Sequence, residues 1–125
     1  MRNFREFEAG PDPFGRTWRV YFKWLQTGIT LRHADTVDVK FVVEYEGQRE
    51  EKIIALPHPG LLALSKITGH RLTDAWCSRL AALHLKRMIE TGEDIEKRLV
   101  TVSDAEMAAY DAQLTSDGAM AAEAA

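Results

Sequence analysis

His33, Asp35 and His58 are the polar residues whose types could do the most chemistry together. Two imidazoles and a carboxylate can ligate a metal, or the carboxylate can orient an imidazole for acid–base work. A hairpin brings them near one another. Val37 to Tyr45 and Lys52 to Leu56 read as its strands, with Glu46-Gly47-Gln48 as the turn signal. A two-residue loop sets Asp35 opposite His58, whereas a four-residue loop sets Val37 there. Either way His58 arrives at the sheet edge where His33 and Asp35 sit. The spacing matches neither HExxH nor CxxC, so this candidate metal or small-ligand site has no motif behind it.

A second set is basic. Lys66, Arg71, Arg79, Lys86 and Arg87 give residues 61–90 a charge of +3, against −6 in residues 91–125. Arg79 and Lys86 fall on one stripe of a helix and Arg71 extends it from the preceding loop. Such a stripe binds phosphates or an acidic partner, or is simply a solvated face. Cys77 and His84 share a helix face two turns apart, about 10.5 Å by helix rise. That is too far for a nucleophile and its base, so they read as a buried thiol and a core or boundary histidine. Trp18, Phe22 and Trp24 could line a pocket, but such a row is more often the buried face of a strand. No glycine-rich phosphate loop or nucleophile elbow is present. No cofactor is expected, and catalysis is not indicated.

The elements that position these residues follow from periodicity. Gly10, Pro11, Pro13 and Gly15 mark residues 1–16 as an irregular lead-in. Trp18, Val20, Phe22 and Trp24 alternate with polar residues as a strand with one apolar face. Ile29 and Leu31 make a short second strand before the hairpin. Helix one is expected from Pro59 to about Thr68, stopping at Gly69. Helix two starts at Thr73 or Asp74 and ends before Gly92. Its Cys77, Leu80, Ala81, His84, Leu85, Met88 and Ile89 fall on one arc, with Arg79, Lys86 and Glu90 opposite. Arg98 to Val102 reads as a late strand. Ser103 and Glu106 form a capping box, and Val102 with Met107 a hydrophobic staple, for a third helix to about Leu114.

The expected fold is α+β: an antiparallel sheet of four to five strands with helices packed on one face, in the order β-β-β-β-α-α-β-α. One domain spans residues 17–114, and residues 115–125 read as a flexible tail. The 125 residues suit a single domain, with 46% apolar and 28% charged residues near globular averages. The single cysteine, Cys77, and an N-terminus without a signal-peptide pattern point to a reducing, cytoplasmic setting. No apolar run approaches the ~20 residues of a membrane span. A net charge of −3 disfavours polyanion binding by the surface as a whole.

Residues 52–90 locally resemble the ribbon-helix-helix repressors. Lys52-Ile53-Ile54-Ala55-Leu56-Pro57 stands where the ribbon would be, Thr68-Gly69 at the turn, and Thr73-Asp74-Ala75 at the second helix. The resemblance implies a dimer whose ribbon enters the DNA major groove, with Lys52, Ile54 and Leu56 or the alternate set facing bases. It covers under a third of the chain, and only Lys52 in that ribbon can hydrogen-bond a base edge. The leading expectation is a non-catalytic interaction or regulatory module, with self-association as a homodimer. DNA binding and a metal-dependent or ligand-binding site at His33, Asp35 and His58 are the alternatives.

Overall fold

Glu46 and Gly47 both take positive φ, 47° and 82°, the backbone that a two-residue hairpin turn demands. The turn joins β3 (Thr36–Tyr45) to β4 (Gln48–Pro57) with Tyr45 opposite Gln48 and Thr36 opposite Pro57. In the computed structural model, which describes residues 3–28 and 35–124, this hairpin is the centre of a five-stranded sheet of order β1-β2-β3-β4-β5. The fold is α+β, with elements in the order β-β-β-β-α-α-β-α.

The flanking strands correct the sequence reading in three places. β1 (Glu6–Ala9) lies inside the supposed irregular lead-in and pairs with β2 (Trp18–Gly28). The prolines and glycines make the connection that follows it. Ile29 and Leu31, read as a separate strand, lie outside the described residues. β5 (Leu99–Thr101) runs parallel to β4 rather than antiparallel. Two helices, α1 (His58–Thr68) and α2 (Asp74–Thr91), intervene between β4 and β5, and such a crossover returns the chain in the same direction.

A third correction concerns Trp24. The register slips between Phe22 and Trp24, so Lys23 is an extra residue in β2 and everything after it changes face. Val20, Phe22 and then Leu25 face inward with Val39 and Phe41. Trp24 instead sits opposite Lys40 on the outer face, with the Lys40 ammonium 5.6 Å from its ring centroid.

The inner face of the sheet carries Val20, Val37, Val39, Phe41, Val43, Ile54 and Leu56, all buried. Against it lies α2, on which Trp76, Cys77, Leu80, Ala81, Ala82, Leu83, His84, Leu85, Met88 and Ile89 are all buried. Its ends are where the residues demand: the Thr73 hydroxyl accepts from the Trp76 N–H, and Gly92 closes it at φ 75°. α3 (Asp104–Ala124) packs on α1 and α2 and outruns Leu114, where its apolar stripe stops. Its capping box is present: Glu106 N–H donates to the Ser103 hydroxyl and Ser103 N–H to the Glu106 carboxylate. Val102 and Met107 are both fully buried beside it.

Two polar groups tie loops to this frame. Lys52 points inward opposite Phe41, 2% exposed, and its ammonium donates to the carbonyls of Ile95 and Lys97. Asp12, in the β1–β2 connection, accepts from the N–H groups of Phe14 and Arg16, from Arg16 Nε at 2.7 Å and from Trp18 Nε1 at 3.0 Å. Burial alone would raise the Asp12 carboxyl. The donors from Trp18, Arg16 and Phe14 outweigh it and hold the group well below the usual carboxylate range.

A depressed carboxyl stabilises the fold above its unfolded pKa, and that contribution drains away as pH falls through the folded value. Asp12→Asn should therefore lower the urea midpoint at neutral pH. The gap to the unsubstituted protein should narrow once pH drops below about 4. Gly60, in the first turn of α1, gives a second test. A Cβ there would meet the Asp104 carboxylate and come within 2.7 Å of Met107 Cε. Both atoms are the ends of flexible side chains and Asp104 is exposed, so Gly60→Ala should change stability by less than about 1 kcal/mol in thermal or urea unfolding, alanine's helix preference offsetting the shift that buried Met107 must make.

Candidate functional site

The seam between α2 and α3 carries the densest polar chemistry among the described residues. His84 is buried, and its Nδ1 lies 2.7 Å from the Tyr110 hydroxyl. Glu106 Oε2 is 3.7 Å from the same nitrogen and 3.1 Å from the Arg87 guanidinium. These four side chains come from one turn of each helix: His84 and Arg87 at i, i+3 on α2, Glu106 and Tyr110 at i, i+4 on α3. His84, Arg87 and Glu106 border an open cleft of about 110 Å³, also lined by Met88, Thr91, Glu93, Asp94, Val100 and Thr101.

Burial sets the protonation here. It pushes the His84 imidazole below its ordinary value, with Glu106 pulling the other way, Arg87 reinforcing the drop, and Asp94 and Glu93 opposing it. Burial likewise raises the Tyr110 phenol. A neutral imidazole bonded to a neutral phenol fits the space. The cleft holds three carboxylates against one guanidinium, and its volume suits a few waters or a molecule of that size.

A second arrangement lies in the α1–α2 connection. His70 Nδ1 and Trp76 Nε1 each lie 2.8 Å from the same oxygen of Asp111, a carboxylate that is 3% exposed on α3. Asp111 thus pins the connection and the start of α2 to the third helix.

The residues singled out in the sequence are distributed otherwise. The two-residue turn is the one adopted, and His58 N–H donates to the Asp35 carbonyl at 2.8 Å. That contact is between backbones; Asp35 is exposed and His58 half-buried. His33 lies outside the described residues. Among the described residues no three His, Cys, Asp or Glu side chains are grouped to hold a metal ion. The basic set comes from α1, the α1–α2 connection and α2. Lys66 is in the last turn of α1 and Arg71 in the α1–α2 connection. Arg79 stacks 5.6 Å from the Phe4 ring centroid, and Arg87 is paired with Glu106. Lys86 is half-buried on α2. Cys77 is a buried free thiol, pushed up to about 11 by burial and by Asp74. In the segment that resembles a ribbon, β4 is hydrogen-bonded to β3 on one edge and β5 on the other, and Lys52 is buried. From Ile53 to Ala55 that strand is paired on both edges, which leaves no room there for a twin.

Asp111 and His70 were not anticipated. Asp111 follows Met107 by four residues and precedes Leu114 by three, so a charge on the apolar stripe of α3 was the available signal. Comparison with known proteins finds no matching family model, no significantly similar curated protein and no significantly similar solved structure.

The lowered pKa of His84 gives a signed expectation. The unfolded chain takes up this proton near pH 6.5 and the folded one only at lower pH, so stability falls as pH drops through about 6.5. His84→Gln keeps a group that can bond Tyr110 but does not titrate. Urea midpoints followed from pH 7.5 to about pH 5 should fall more steeply in the unsubstituted protein than in this variant.

Proposed function

We propose that the protein is a non-catalytic interaction module that self-associates through the second half of β2. The observation behind this reading is a mismatch of lengths. β2 spans 11 residues and pairs with β3 from Arg19 to Gly28. On its other edge β1 covers only Trp18 to Tyr21, with one further bond from Phe22 N–H to the Arg5 carbonyl. Among the described residues nothing pairs with residues 24–28 on that edge. Unpaired backbone in a strand is a template for another strand.

The occupant is a second copy of the chain. Residues 24–28, Trp-Leu-Gln-Thr-Gly, carry no charge. Antiparallel pairing with the same residues about a two-fold axis sets no like charges together. Five residues also match the length of an ordinary strand. The outer strands are poorer templates: β5 has three residues, and β1 offers Glu6 and Glu8, which oppose their own kind. α2, largely apolar on its buried side, is committed to the core.

Sedimentation equilibrium tests this. A dimer is expected, and Gln26→Lys with Thr27→Lys, both exposed positions, should weaken it by about tenfold or more while leaving the far-UV spectrum unchanged. A protein that stays monomeric at high concentration, or a dimer indifferent to the two lysines, overturns the proposal.

A further inference from the structure

The His70–Asp111–Trp76 contact fixes more than a loop. Trp76 Nε1 can only donate, so Asp111 Oδ1 is an acceptor, and the same oxygen 2.8 Å from His70 Nδ1 is matched by the tautomer with its proton on Nδ1. The lone pair is then on Nε2, at the opposite side of a ring that is 39% exposed. Trp76 Nε1 locks the carboxylate in turn. A buried, doubly held carboxylate behind an exposed imidazole makes Nε2 an oriented nucleophile.

We propose that His70 is a phosphoryl acceptor, its Nε2 taking a phosphoryl group from a small anionic donor of the phosphoramidate class. The Nε2 lone pair attacks phosphorus, and an N–P bond forms as the donor's P–N bond breaks. The donor nitrogen is already protonated, as the ammonio form of phosphoramidate, so the electron pair of the broken P–N bond leaves on neutral ammonia. The ring becomes an imidazolium during the attack, because Nδ1 keeps its proton. Asp111, 2.8 Å from Nδ1, faces that developing positive charge.

The surroundings separate this from other uses of an oriented histidine. A metal ion needs further ligands, and no three ligating side chains are grouped among the described residues. Lys66, four residues before His70, and Arg71, next to it, are exposed and make no ion pair among the described residues. These cations repel a metal ion and attract a phosphoryl anion. General-base turnover needs a substrate held in place, and the cleft at the α2–α3 seam does not include His70.

The test is reaction of the full chain with potassium phosphoramidate, followed by intact mass and peptide mapping under alkaline conditions. One phosphoryl group on His70 is expected, formed faster than any on His58, which has no carboxylate bonded to its ring among the described residues. Asp111→Asn should slow the labelling by about tenfold. Because this variant also disturbs Trp76, Lys66→Glu with Arg71→Glu provides an independent surface change that should slow labelling by the anionic donor while the far-UV spectrum shows the fold retained. Absence of label, equal labelling of His58, or an unchanged rate in the double glutamate variant overturns the proposal.

Discussion

Burying α2 on most of its circumference is the constraint on which the rest of the structure depends. The sheet takes one side of the helix and α3 another, and Leu80, Ala81 and Leu85 are fully buried between them. Enclosure of this kind is favourable for leucine and alanine, roughly 25 cal/mol per Å² of apolar surface removed from water. It is unfavourable for Trp76 Nε1 and the imidazole of His84, each of which would cost on the order of 1–3 kcal/mol if left without a partner. α3 supplies both partners, Asp111 for Trp76 and Tyr110 for His84, from adjacent positions on one helix. Thus the polar residues on the buried stripe of α3 answer those on α2, and among described residues no buried side-chain polar atom is orphaned.

The sheet solves a different problem. Its outer face is laced with charge, Lys40 and Arg98 both meeting Glu51, and Arg49 meeting Glu44. Such exposed pairs add little stability, but they keep the face wetted. Lys23 then turns the second half of β2 over, so that Leu25 rather than Trp24 meets the core. An extra residue at an edge also raises the local twist, which discourages pairing close to it. The uncharged residues beyond the bulge are left as the part of the edge where pairing is least opposed.

How much of this could be read from the sequence varies with the distance over which each feature is decided. Gly69, Thr73, Gly92 and the Ser103–Glu106 box act within a turn of helix, and the helix boundaries they mark are those adopted. The β3–β4 hairpin is nearly as local. Trp24 was misassigned because period two holds only while the register does, and a bulge depends on the partner strand. β1 was missed because four residues, Glu-Phe-Glu-Ala, become a strand only once β2 is there to pair with. The direction of β5 follows from the crossover, a property of the whole α1–α2 unit. Of the residues grouped by the hairpin, Asp35 and His58 are joined through their backbones by the two-residue turn, and His33 lies outside the described residues.

His70 and His84 take their side-chain partners from far along the chain. His70 meets Asp111 across 41 residues, and His84 meets Tyr110 across 26. Only folding can create these contacts, so only they can fix a tautomer or exclude a charge. The two differ in exposure: His84 is sealed and His70 is 39% exposed. Sealing converts the contact into a dependence of stability on pH, because the proton must compete with burial. Exposure leaves the far nitrogen in reach of a reagent while the near one stays held. One helix face, Glu106 to Asp111, therefore serves both, and what distinguishes them is how far each imidazole stands from the surface.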